Sequence, residues 1–280
     1  MAVPDFLVVG HVVRDEAPDG WRLGGTASYA AVQASRLGLN AAVVTRAAEN
    51  DLCDARLPAD VHCSFSPVTT TFRNEYRQDH RTQHVLSRAY TITPEDVPVE
   101  WRRTRIVLLG PVCGEVPGDM AHVFRGSLLG LSAQGWLRRV EPDGLVVAEP
   151  WNDVALWRAG RVIFVSEEDL AGDESPARVW AEHAPIVCVT RSHMGARIHF
   201  DGAWHNMEAF PENEVDPTGA GDVFAAAFLA RLHETNDVAE ATRFAAAAAS
   251  LSTAAAGTVA IPTREQIEER LARSPEIVLR

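Results

Sequence analysis

The sequence predicts an α/β fold with a mostly parallel central sheet. Three observations carry this reading. Short apolar runs of strand length recur along the chain, a glycine turn and a helix follow the first of them, and the C-terminal part is helical. The first run, Phe6–Val9, is a buried strand that ends at Gly10. A short polar segment from His11 to Leu23 leads to Gly24-Gly25, which opens a helix over residues 26–37. Ala27, Ala30, Ala31, Ala34 and Leu37 give that helix an apolar face, and Gly38 stops it. Residues 40–45 form the next strand. Strand, glycine turn, helix and strand make the unit from which parallel sheets are built.

Residues 62–92 break the rhythm. Two stretches rich in threonine and aromatics, 68–76 and 82–91, flank the polar segment 77–81 and read as a hairpin outside the main sheet, a flap. The α/β alternation then resumes. Strands are expected at 106–109, 128–131, 145–148, 162–165 and 186–190. Residues 197–200 and 203–207 flank Asp201-Gly202, a two-residue hairpin turn. Helices follow at 222–233, 238–256 and 263–272, where the alanine run 245–249 reads as close helix packing. No repeat or low-complexity linker divides the chain, so residues 1–280 are expected to form one domain.

Composition narrows the chemistry. All 26 basic residues are arginine against 38 acidic ones, a net charge of −12. Without lysine there is no Walker-type phosphate loop, no Schiff base and no protein-kinase fold. Phosphate chemistry must then rely on backbone amides, arginine or a metal. The acidic balance speaks against nucleic acid as a partner. No apolar run is long enough to span a bilayer and no signal peptide is recognisable, which predicts a cytoplasmic protein with no membrane partner. Cysteines at 53, 63, 113 and 188 show no CxxC spacing and read as reduced thiols. His80 and His84 have a metal-binding spacing for a helix, but in a hairpin they read as solvated side chains.

One string dominates the candidate chemistry: Asp216-Pro217-Thr218-Gly219-Ala220-Gly221-Asp222, running straight into an apolar helix. Its glycines let the backbone approach a ligand, and the helix start adds partial positive charge. The result is an anion hole that needs no lysine. Asp222, beside it, is placed to take a proton from an attacking hydroxyl. The plainer reading is a helix cap after a tight turn.

The extended string resembles the C-terminal signature of the ribokinase (PfkB) family of small-molecule kinases. The resemblance implies a ribokinase-like three-layer α/β/α sandwich with a β lid. It makes Asp222 the catalytic base, with Gly219, Ala220 and Gly221 as the anion hole. Asp216 then falls where some members bind a monovalent cation, K+. The N-terminal half agrees in register. Gly10 ends the first strand, Asp15 five residues on falls where members bind substrate hydroxyls, and Gly24-Gly25 opens the first long helix.

Departures from the family pattern are specific. Tyr29 stands where ribokinase-like members often have an asparagine that faces the substrate. The family's NxxE motif, which orders water around magnesium, becomes Ser166-Glu167-Glu168-Asp169. Glu168 and Asp169 can still serve hydrated Mg2+, and Ser166 with Asp169 also reads as an N-cap box. On the donor side Thr190 and Gly195 match the family while Ser192 replaces a glycine. With Ser166, Thr218, Gly219 and Gly221 they complete the implied cofactor-binding set. Arg191 or His193 either reaches phosphate or belongs to a surface turn. Only nine residues separate Asp15 from Gly24, so the lid strands there are expected to be cut short. Residues near 11–24 and 68–92 would supply a reduced lid, with Phe72, Asn74, Tyr76 and Arg88 as candidates to face the substrate. Residues 134–138, ending at Arg138, add a weaker similarity to an inositol kinase-like subgroup, with Arg138 on the substrate side.

The implied function is transfer of the ATP γ-phosphoryl group, with Mg2+, to a hydroxyl of a sugar, inositol-like cyclitol or nucleoside, by a monomer or homodimer. A non-catalytic sugar- or nucleotide-binding sensor of the same fold is the rival. A dinucleotide-binding dehydrogenase lacks support, because Gly10 is followed by His11-Val12-Val13-Arg14 rather than a glycine-rich turn.

Overall fold

The computed structural model describes residues 2–17, 20–49, 51, 57–77 and 80–280, with backbone only at 76, 77, 80 and 81. The chain runs β1 (Phe6–Val9), β2 (Val13–Ala17), β3 (Gly20–Gly24), α1 (Thr26–Arg36), β4 (Ala41–Ala47), β5 (Asp60–Phe65), β6 (Thr71–Arg77) and β7 (His80–Ser87). It continues through β8 (Ile106–Leu109), β9 (Leu128–Ser132), β10 (Arg138–Val140), β11 (Val146–Ala148), α2 (Val154–Ala159), β12 (Val162–Ser166) and α3 (Ser175–Trp180). The last part holds β13 (Ile186–Thr190), β14 (Ala196–Phe200), β15 (Ala203–Met207), α4 (Ala220–Thr235), α5 (Val238–Ser252) and α6 (Arg264–Arg273).

Nine strands form the main sheet in the order β15-β14-β13-β12-β9-β8-β1-β4-β5. Pairing is parallel from β5 to β13, and the β13–β14 and β14–β15 pairs are antiparallel, so β14 alone runs against the rest. The central strands are apolar throughout because both faces are covered. Phe6 and Val8 point into one layer, Leu7 and Val9 into the other, and β8 repeats this with Ile106 and Leu108 against Val107 and Leu109. On the first face α1, α4, α5 and α6 pack through small residues, including Ala225–Ala227 and the buried alanines of α5. The second face is aromatic: Trp101, Trp157 and Trp180 are buried there, and Trp151 stacks on Trp136 at 5.0 Å.

Two sequence expectations need correction. The apolar run ending in β11 does not join the main sheet; β11 pairs antiparallel with β10 in a separate two-stranded ribbon. Residues 62–65, read as breaking the rhythm, belong to β5 at the edge of the main sheet, and before α1 the five-residue strands β2 and β3 form an antiparallel hairpin. That hairpin joins the expected β6–β7 hairpin in a four-stranded sheet, β3-β2-β6-β7. His80 and His84 lie four residues apart along β7, about 13 Å at strand rise, too far to share one ion. Cys113 and Cys188 are buried free thiols and Cys63 is exposed; Cys53, the side chains of His80 and Tyr76, and residues 78–79 of the hairpin tip fall outside the described residues.

The segments that join the two sheets meet at a buried polar node. The Glu115 carboxylate accepts from the amides of His11 at 3.0 Å, Val112 at 3.0 Å and Cys113 at 2.9 Å. Thr70 Oγ1 accepts the Ala89 amide at 2.9 Å and lies 2.8 Å from His11 Nδ1, to which it donates in the neutral ring. Nε2 of the same ring then donates to the Tyr90 carbonyl at 3.0 Å. This is a neutral ring, consistent with burial pushing His11 below its usual pKa. His11, Cys113 and Glu115 have ligand atoms within 4.8 Å of one another. Both ring nitrogens and the carboxylate are already engaged, so the node is structural.

Burial by itself would raise the Glu115 pKa, but the neighbouring His11 ring and then the facing amides more than offset it and hold the carboxyl below its ordinary value of 4.5. Its contribution to stability is therefore present above that value and lost as pH falls through the lower folded-state pKa. Glu115→Ala strands three buried amides, and a loss of about 3 kcal/mol or more is expected in urea unfolding at neutral pH.

Candidate active site

In an open parallel sheet, ligands bind beyond the carboxyl ends of the strands where the winding direction reverses. Here that place lies between β1 and β8, because later strands add on both sides of β1. A cleft of about 1540 Å³ opens along this edge, floored by the ends of β9, β12 and β13 and the start of α4 and walled in part by the four-stranded sheet.

The loop before α4 is shaped by its own hydrogen bonds. Asp216 Oδ1 accepts the Thr218 amide at 3.0 Å and Oδ2 the Gly257 amide at 3.3 Å. Burial opposes ionisation of this carboxyl, yet Thr218 and the Gly257 amide keep its pKa below the usual value. Asp216 thus clips the loop to the end of α5, and a monovalent cation there would share oxygens with two amides. Gly219 follows at φ +80°, the left-handed region, and starts the helix. The Ala220 amide turns back to the Pro217 carbonyl at 3.1 Å, and the Asp222 and Val223 amides both bond the Gly219 carbonyl. Of the three amides expected to hold an anion, Gly219 and Gly221 have no partner among the described residues. Both line the cleft; Ala220 does too, but its amide is committed.

Gly219 has a second constraint. A Cβ on it would lie 2.2 Å from Cδ1 of Tyr29, whose ring packs flat beneath the loop. Tyr29 is buried, and burial together with Asp216, Asp15 and Asp222 pushes its hydroxyl well above the usual pKa. The phenol therefore stays a neutral donor.

Asp222 sits in the first turn of α4, half-buried at the cleft floor. Burial raises its pKa to about 6; the hydroxyl of Thr26 pulls it down, Asp169 pushes it up, and Arg138 pulls it down. Around it the sequence candidates converge. Asp15 on β2 lines the acceptor end beside Gly25, Tyr29 and Phe72. Gly24 lies behind them: a Cβ there would sit 2.0 Å from the Asp15 carboxylate, so this glycine makes room for Asp15. Arg138 reaches in from the start of β10 and pairs with Asp169 at 3.2 Å. Asp169 also accepts from Ser166 Oγ at 2.6 Å, and its amide donates back to that oxygen at 3.0 Å, which is one half of the expected N-cap box, formed on a turn rather than a helix. Glu168 is exposed on the same turn and lines the cleft.

Toward the donor end lie Thr190, Gly195, Thr218 and His193. Arg191 lines the cleft as well, but it pairs with Glu167 at 3.7 Å and Glu174 at 3.6 Å. Arg138 is the arginine whose charge acts on Asp222. Asn74 accepts from Gln83 Nε2 at 2.8 Å, and it is Gln83 that lines the cleft. Arg88 is exposed and stands near Gly114, outside the cleft lining. Sequence reasoning did not single out Gln83, Thr26, or the α5 residues Ala246 and Ala249 that wall the cleft. A period-two alternation marks the face of Gln83, and position after the glycine pair marks Thr26. Nothing in an alanine run says which alanine meets a ligand.

Comparison with known proteins gives a consistent picture. Residues 163–264 match the model of the pfkB family carbohydrate kinases. The chain is 32% identical over 257 residues to an inositol 3-kinase of Zea mays, a match covering 81% of this chain and 66% of that protein. A ribokinase of Bacillus subtilis is 42% identical over 84 residues, 30% of this chain and 29% of that one. The chain thus spans under two thirds of the length of these curated relatives. Among solved structures, a sulfate complex of a pyrophosphate-dependent kinase in the ribokinase family superposes with a TM-score of 0.80 at 25% identity. That superposition covers 95% of this chain and 99% of the other. Arabidopsis thaliana ribokinase complexed with ribose and ATP superposes with a TM-score of 0.75 at 22% identity, over 97% and 99% of the two chains.

Proposed function

Because this chain belongs to the pfkB family of carbohydrate kinases, we propose that it transfers a phosphoryl group from a nucleotide to a hydroxyl of a small polyol, foremost a cyclitol of the inositol type. One observation carries the reading. Asp222 stands between two unengaged glycine amides and an acceptor wall made by Asp15, Gly25 and Tyr29. Asp15 accepts from acceptor hydroxyls, while the neutral Tyr29 phenol offers a donor where an amide side chain would suit a ribose. The four-stranded sheet serves as a lid over this end, and the chain acts as one catalytic unit.

Asp222 removes the proton of the attacking hydroxyl as its oxygen bonds to the transferring phosphorus and the bond to the leaving phosphate breaks. A carboxyl near pKa 6 is largely ionised at neutral pH yet more basic than an ordinary aspartate. The Gly219 and Gly221 amides and the helix start hold charge on the transferring group, with Arg138 as the cation that acts on Asp222. ATP is the proposed donor. Mg2+ supplies charge neutralisation on the donor phosphates, and the exposed Glu168, with Asp169 behind it, would hold its waters. Potassium would sit against Asp216.

The superposition on a pyrophosphate-dependent kinase supports pyrophosphate as a second donor to be tested. Product phosphate is measured with ATP or pyrophosphate, each against inositols, hexoses, ribose and nucleosides. Turnover is expected on a cyclitol, with kcat/KM falling on the acid side around a midpoint of about 6. Ligand-induced thermal shifts without turnover on any pair would favour the sensor instead.

A further inference from the structure

Thr26 is the first residue of α1 and is fully buried. Its methyl group is pressed against the backbone where β8 ends: a Cβ on Gly110 would lie 2.4 Å from Thr26 Cγ2. The glycine therefore makes the space that sets this rotamer. The Thr26 hydroxyl closes no well-formed hydrogen bond among the described residues, and a buried hydroxyl left so is costly. The local acceptors are taken. Ser28 Oγ donates to the Gly24 carbonyl at 2.7 Å, and the Ser28 and Tyr29 amides donate to the Gly25 carbonyl.

The Asp222 carboxylate stands on the helix packed beside α1 and lines the same cleft floor as Thr26. We infer that Thr26 is a positioning residue: its hydroxyl donates to the Asp222 carboxylate, keeps the base ionised and turns its free lone pair toward the acceptor hydroxyl. The inference rests on Asp222 as the base. Other groups face this carboxylate. Asp169 from the turn after β12 opposes its charge, Arg138 from β10 favours it, and Tyr29 from α1 lies beside it. Thr26 differs from these in having no competing partner.

The test compares Thr26→Val and Thr26→Ser with the parent, using aspartate carboxyl resonances in a carbon-13 NMR titration. Asp222→Asn identifies the resonance of interest. Thr26→Val is expected to move the Asp222 midpoint up by about one pH unit, the worth of one hydrogen bond to a charged group. The acid limb of kcat/KM should move with it, giving about a fivefold loss at pH 6 that approaches tenfold below it and narrows at higher pH. Thr26→Ser, which keeps the hydroxyl, should restore both. An unchanged midpoint in Thr26→Val overturns the inference, as does a Thr26→Ser variant that behaves like valine. Thr26→Ala provides the same comparison if the valine variant melts early. If Asp222→Asn retains turnover, the base assignment falls, while the NMR midpoint still decides what Thr26 does.

Discussion

Asp222→Asn is expected to lower kcat by about 10³-fold or more and, at the same time, to make the protein more stable. The first effect follows from removing a general base, worth roughly 10² to 10⁴, from a site whose other elements remain. Donor binding should change little, because the Gly219 and Gly221 amides belong to the backbone. The second effect follows from the raised pKa. A carboxyl that titrates at about 6 in the fold and near 3.8 when unfolded favours the folded state only while protonated. Its penalty is absent below about pH 4, grows through pH 6 and stays constant above. After allowance for its partial exposure, the cost at neutral pH is about 2 kcal/mol. Melting curves of the two proteins should coincide at about pH 4 and separate by a few degrees at pH 7. A variant that keeps its rate would remove Asp222 from the chemistry. One that loses rate without gaining stability would mean that the carboxyl is not desolvated.

Gly219→Ala is the second large effect. Any L-residue at φ +80° is strained, costing about 1 to 2 kcal/mol. The new methyl would also lie 2.2 Å from the Tyr29 ring, so either the ring or the loop must move. The loop carries the two unpartnered amides proposed to hold the transferring phosphate, and loss of a single oxyanion-type donor typically costs 10² to 10³-fold in rate. A fall of that size in kcat/KM is expected. If the clash with Tyr29 is the main cause, Tyr29→Leu in the same chain should recover part of the donor affinity, so the two changes are less than additive. Fully additive losses would show that the backbone angle alone is responsible.

The central strands of the main sheet are legible because they are buried on both faces and read as plain apolar runs, whereas β5, exposed at the sheet edge, gives no such run. The same rule misplaces β11. An apolar triplet predicts a strand but not its partner, and Val146 and Val147 are only half-buried in a ribbon with β10. The β2–β3 hairpin is hard to see because Arg14, Asp15, Glu16 and Arg22 make it look like a polar loop; its strands are wet and held by pairing rather than burial. At the site, residues 216–222 are legible because a helix start writes its requirements locally in glycine and aspartate. Thr26, Gln83 and Ala246 are not, because each matters only through an element distant in sequence. Arg191 draws attention by its place after a strand, and only the fold reveals that two glutamates pair with it while the charge of Arg138 acts on Asp222.

The node at His11, Thr70 and Glu115 also has a mechanical meaning. It gathers the segments that carry the four-stranded sheet close to one point, so that sheet is hung as a lever with a short arm. Asp15 lies four residues along the chain from His11, about 13 Å at strand rise. By that arm length, a rotation of about 10° about the node carries Asp15 roughly 2 Å, enough to make or break a hydrogen bond to a polyol. Under the proposed function, grip and release of a polyol would then require only a small swing of the sheet, with no refolding of its strands.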